Sequence, residues 1–73
     1  MFIVVELQKN ADGTLGNIVT PYETLNEADS KFHQILSYAA LSDLPIHSAC
    51  ILSERGKMIK NESYEHKESG DNG

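Results

Sequence analysis

The sequence predicts an α+β domain of ββαββ order, with a four-stranded, mainly antiparallel sheet and one helix packed on one face. Three observations carry this: a β-branched run at the N-terminus that leads into Asp12-Gly13, a capped amphipathic stretch from Leu25, and a second β-rich run from Ile46 followed closely by Gly56. One helix covers one face of such a sheet, so the other face meets water or a partner.

Phe2 to Gln8 reads as the first strand because β-branched and aromatic residues dominate it. Ile3, Val5 and Leu7 fall on one side, and Phe2, Val4, Glu6 and Gln8 on the other. Asp12-Gly13 between two extended runs is a hairpin signal, since glycine tolerates positive φ. The second strand runs from Thr14 to Thr20 and is expected to end at Pro21. Its apolar residues, Leu15, Ile18 and Val19, lie on both faces and leave its orientation open.

Thr24-Leu25-Asn26-Glu27 has the form of a capping box, in which Thr24 and Glu27 satisfy each other's backbone N–H groups. Leu25, Ala28, Phe32, Ile35, Leu36 and Ala39 then make one apolar stripe at helical spacing. Glu27 and Lys31 are placed to pair on the outer face. The helix is expected to reach about Ser42, where Asp43-Leu44-Pro45 stops it because the residue before proline leaves the α region.

Ile46 to Ser53 reads as the third strand, Glu54-Arg55-Gly56 as a turn, and Lys57 to Tyr64 as a polar fourth strand suited to a sheet edge. With both hairpins intact, the order 2-1-3-4 puts the two most apolar strands in the middle. Residues 1–64 make the single domain, and 65–73, without apolar content, are expected to be a disordered acidic tail.

Composition narrows the classes further. The 73 residues carry 11 acidic and 6 basic side chains, a net charge of −5. No basic stripe exists to displace counterions from phosphates, so nucleic acid is not an expected partner. Cys50 is the single cysteine, which removes any intrachain disulfide and points to a reducing compartment. The apolar run from Phe2 stops at Glu6, short of a signal peptide or a membrane span. A soluble, intracellular protein is expected.

No catalytic or ligand-binding signature stands out. His47 and Cys50 are three apart, which in a strand points them to opposite faces, and a structural zinc site needs four ligands. Neither a metal nor a cofactor is expected. A Cys50–His33 pair has no orienting third group and no oxyanion hole, so the chain is not expected to be an enzyme. Cys50 reads as a buried structural thiol and His33 as a boundary residue.

The expected site is therefore an interface. If Ile3, Val5 and Leu7 face the helix, then Phe2 and Val4 face away, beside Ala49 and Ile51 or Ser48 and Cys50. Phe2, Val4 and Ile51 are the expected contact residues. Tyr38 and Leu41, on the outer side of the helix, form a second candidate anchor. A charge at Val4 would then weaken association and leave the helix intact. A homodimer or a complex with another protein is expected.

Several segments resemble a family of short uncharacterised proteins encoded in phages and prophages of Gram-positive bacteria. They are Glu6-Leu7-Gln8, Asn10-Ala11-Asp12-Gly13-Thr14, Asn26-Glu27-Ala28 with Ser30-Lys31-Phe32-His33, Ala39-Ala40 with Ser42, and His47-Ser48-Ala49. The resemblance spans about residues 1–56 and implies a phage context: a place in the host cell cytoplasm, with virion association as a further option. With the small size and net charge of −5, that context gives an acidic inhibitor of a host nucleic-acid-binding defence protein as the alternative function. The resemblance brings no catalytic residue. It raises one question about the polar set Lys31, His33, His47 and Ser48: either a partner-binding spot or local structure, with Ser48 satisfying backbone near the helix end.

Overall fold

The computed structural model describes residues 1–66. In chain order the elements are β1 (Phe2–Lys9), β2 (Leu15–Tyr22), α1 (Leu25–Leu41), β3 (Ile46–Ser53) and β4 (Met58–Glu65). They form one antiparallel sheet of order β2-β1-β3-β4 with the helix on one face, an α+β fold of ββαββ order.

The two hairpins close in the same way. Asn10 N–H donates to the Thr14 carbonyl at 2.8 Å and Gly13 N–H to that of Asn10 at 2.9 Å. In the second turn Ser53 N–H donates to Lys57 and Gly56 N–H to Ser53, both at 2.8 Å. Gly13 and Gly56 sit at φ 90° and 87°, where a side chain would be strained. The Asp12 carboxylate accepts from the Thr14 N–H and hydroxyl, and the Ser53 hydroxyl accepts from the Arg55 and Lys57 N–H groups.

The helix begins as a capping box. Glu27 N–H donates to Thr24 Oγ1 at 3.2 Å, and Thr24 N–H to Glu27 Oε1 at 3.3 Å. The Glu27 carboxylate is thereby committed to the cap, and among the described residues no ion pair joins it to Lys31. Thr24→Ala should cost about 1 kcal/mol, read as a lower urea midpoint at unchanged slope. An unchanged midpoint would show that the cap contributes nothing to stability.

The core is a single layer between helix and sheet: Val4, Ala28, Phe32, Ile35, Ala49 and Ile51, with Phe2, Tyr22 and Leu36 packed around it. This reverses the expected facing of β1. Phe2, Val4 and Ile51 lie beneath the helix, Val4 and Ile51 being 1% and 0% exposed, and the outward set is Ile3, Val5 and Leu7. Register requires the linkage, because directly paired residues share a face and Val4 pairs with Ile51 while Val5 pairs with Cys50.

Pro21 does not end β2, which continues to Tyr22. Asn10 and Thr14 are a hydrogen-bonded pair, and such pairs alternate along an antiparallel ladder. Pro21 opposite Ile3 therefore falls at a non-bonded position, where its missing N–H would have pointed off the sheet edge. At the other end, Glu65 belongs to β4, and His66 N–H donates to the Pro45 carbonyl at 3.0 Å. The remainder of the expected tail, 67–73, lies outside the described residues.

Candidate functional site

Two features outside the apolar core can carry chemistry: a polar chain at the helix C-terminus and the sheet face opposite the helix.

The polar chain is built from three elements. Glu6 on β1 and His47 on β3 point to the helix side at the end where α1 stops. His47 Nε2 lies 2.8 Å from Glu6 Oε2, and Nδ1 lies 3.2 Å from Oγ of Ser42, the helix C-cap. An ionised carboxylate only accepts, so Nε2 carries the proton. In the neutral ring Nδ1 then accepts from the Ser42 hydroxyl, whose oxygen takes the Leu44 N–H at 3.4 Å. Gln8 Nε2 completes the set, donating to Glu6 Oε2 at 2.9 Å. Burial alone pushes the Glu6 carboxyl up; hydrogen bonds from His47 and Gln8, with the electrostatic pull of the His47 imidazole and the Lys31 ammonium, outweigh it and hold it below the usual 4.5.

Serine, histidine and carboxylate in hydrogen-bonded sequence resemble a nucleophile triad, yet the surroundings oppose that use. His47 is buried. Ser42 sits at the negative end of the helix dipole, where a developing oxyanion would be repelled rather than held. The hydroxyl also spends its acceptor capacity on Leu44. The chain is a clasp between helix end and sheet, and it answers the question about the polar set for His47. Ser42, not Ser48, serves the backbone there. His33 instead lies outside, 3.4 Å from Asp29, which also pairs with Lys60. A second histidine reinforces the same end: His66 Nε2 donates to the Ala39 carbonyl at 2.9 Å and its ring stacks on Tyr64.

The open sheet face consists of four cross-strand rows: Pro21–Ile3–Leu52–Met58, Val19–Val5–Cys50–Asn61, Asn17–Leu7–Ser48–Ser63 and Leu15–Lys9–Ile46–Glu65. The first row is wholly apolar, and the only charges are Lys9 and Glu65 in the last. Leu15 and Val19 are more than half exposed, and Leu7 and Met58 are exposed with them. A shallow groove of about 310 Å³ runs over the β3–β4 half, between Leu7, Met58 and the short side chains of Ser48, Cys50, Asn61 and Ser63.

Cys50 lines this groove half-buried rather than lying in the core, and burial pushes its thiol up from the usual 9.0. The sheet separates it from both His33 and His47, so neither pairing considered from the sequence is assembled. Among the described residues no group of three or more His, Cys, Asp or Glu could hold a metal ion. None of their helices is long and apolar enough to cross a membrane. Tyr38 and Leu41 are exposed on the outer side of the helix, as expected.

Compared with protein-family models, curated proteins and solved structures, the chain matches none.

Proposed function

We propose that the chain is a small, non-catalytic interaction module of phage type that associates through its open sheet face, with itself or with a larger virion component. The observation that carries this is the apolar patch on the side of the sheet away from the helix, formed by the row Pro21–Ile3–Leu52–Met58 with Val19, Val5 and Leu7 beside it. Contiguous apolar area on a small domain usually marks a contact surface. The contact residues of this reading are Ile3, Val5, Leu7, Val19, Leu52 and Met58. Phe2, Val4 and Ile51 are spent on the core.

Nothing comparable favours the acidic-inhibitor alternative. Such a mimic needs free carboxylates ranked along one surface, whereas Glu6, Asp12, Glu27, Asp29 and Glu54 are each bonded within the molecule. Glu23, Asp43, Glu62 and Glu65 are dispersed: after β2, after α1 and on opposite faces of β4.

A photoreactive benzophenone side chain placed at Val19, with a second variant carrying it at Tyr38, tests the reading in phage-infected Gram-positive cells. Adducts from position 19 and none from position 38 are expected, whatever the partner. Adducts from position 38 alone, or from neither, would remove the sheet face as the site of association.

A further inference from the structure

We propose that the occupant of the open face is a second copy of this chain, packed face to face about a two-fold axis that runs along the strands between β1 and β3. The proposal rests on the open-face reading and specifies its partner.

Relief is the first argument. In the two middle rows the β1–β2 half carries the bulky side chains Val5, Leu7 and Val19, whereas the β3–β4 half carries Ser48, Cys50, Asn61 and Ser63 and holds the groove of about 310 Å³. The end rows are bulky on both halves, Ile3 with Leu52 and Met58, and Leu15 with Ile46. An axis between the central strands sets β1 of one copy over β3 of the other, and β2 over β4. Ridge then meets groove twice, which is the self-complementarity an isologous contact requires.

Charge is the second. An axis along the strands keeps every row level with itself, so the Pro21–Ile3–Leu52–Met58 row meets its own copy and the Lys9–Glu65 row does likewise. Lys9 then lies about one strand spacing, ~4.8 Å, to the side of Glu65 of the second copy, across a sheet gap of ~10 Å. Two extended side chains span that distance. The other two-fold arrangement, with its axis across the strands, would set Lys9 on Ile3 with no counter-charge.

Area is the third. Four strands of eight residues give a flat footprint on the order of 500 Å² per copy, or about 1,000 Å² for the pair before side-chain relief is counted. That reaches the ~1,000 Å² a specific contact needs. Two sheets stacked in this way keep their strands aligned, as in a β-sandwich.

The test is sedimentation equilibrium of the full chain in reducing buffer, with circular dichroism as the folding control. The wild type should be a dimer. Val19→Glu should give a folded monomer, with Met58→Glu on the other edge as the second variant. Lys9→Glu and Glu65→Lys should each weaken dimerisation on the order of fivefold, and the double exchange should restore it.

A wild type that stays monomeric at every accessible concentration overturns the second copy as occupant. The open-face reading would then stand on cross-linked adducts at position 19 heavier than two chains. A dimer that survives both glutamate variants places the self-contact elsewhere and overturns the second copy as occupant of this face. A dimer broken by them but indifferent to the charge exchange overturns the axis.

Discussion

Replacing Val4 with glutamate should unfold the domain, and the same replacement one residue later, at Val5, should leave it folded. Val4 is 1% exposed and belongs to the cluster formed with Phe32, Ile35 and Ile51. A carboxylate there has no partner, and burying it costs several kcal/mol. A domain of this size has roughly 3–5 kcal/mol to lose. Val5 lies on the opposite face beside Val19 and Cys50, where a carboxylate keeps access to water in the single copy. Far-UV circular dichroism and the dispersion of backbone amide resonances distinguish the two outcomes. A folded Val4→Glu variant would mean that β1 presents its other side to the helix. The Val4→Glu experiment suggested by the sequence thus changes meaning, reporting on folding instead of association.

His47→Ala should cost about 1.5–3 kcal/mol, the range for losing a hydrogen bond to a charged group, because it strips the mostly buried Glu6 carboxylate of its principal donor. Glu6→Gln should cost less, since an amide oxygen still accepts from Nε2. The two variants also differ in acid. The Glu6 carboxyl is held below 4.5 in the folded chain, so between the folded and unfolded values the unfolded state binds more protons. Its contribution is complete above about pH 4.5 and declines as pH falls through the folded value. Glu6→Gln should make the acid limb of stability shallower without removing it. Asp12, Asp29 and Glu54 are lowered too, by Thr14, by Lys60 and by the N-terminal ammonium respectively. Asp29 and Glu54 are in surface ion pairs that salt screens, Asp12 is held by neutral hydrogen bonds common to wild type and variant, and the mostly buried Glu6 contribution resists screening. Urea titrations at several pH values in high salt isolate it. An acid limb identical in wild type and Glu6→Gln would show that the clasp contributes no pH dependence.

Element content was legible because its signals are local, and the observed sheet order is one arrangement consistent with two intact hairpins. Thr24 and Glu27 are three residues apart, Asp12-Gly13 is a dipeptide, and the helical stripe repeats within its own turns. The facing of β1 was not, for a reason that lies outside the strand. Both alternating sets of β1 are apolar at one end, and Glu6 and Gln8 made the Phe2–Val4 side look like the wet one. Glu6 is inward because His47, 41 residues away in sequence, meets it beyond the last turn of the helix. No window of sequence contains that pair. The site followed the same error: with the wrong side of β1 assigned to water, Phe2, Val4 and Ile51 replaced Ile3, Val5 and Leu52. Pro21 was misread because its tolerance depends on β2 being an outer strand and on which of its pairs are bonded, and both are properties of the assembled sheet.

The interruptions in the two outer strands have a consequence for how large any assembly can grow. An unpaired strand edge is a template for another strand, and repeated edge-to-edge pairing produces open-ended fibres. β2 presents Pro21 on its free edge. β4 carries an irregularity opposite Ile51 and Leu52, flanked by Lys57 and Lys60. Both rims are interrupted, which disfavours growth sideways. On the proposed face-to-face pairing, stacking ends once that face is covered, and the assembly is a finite complex rather than a filament.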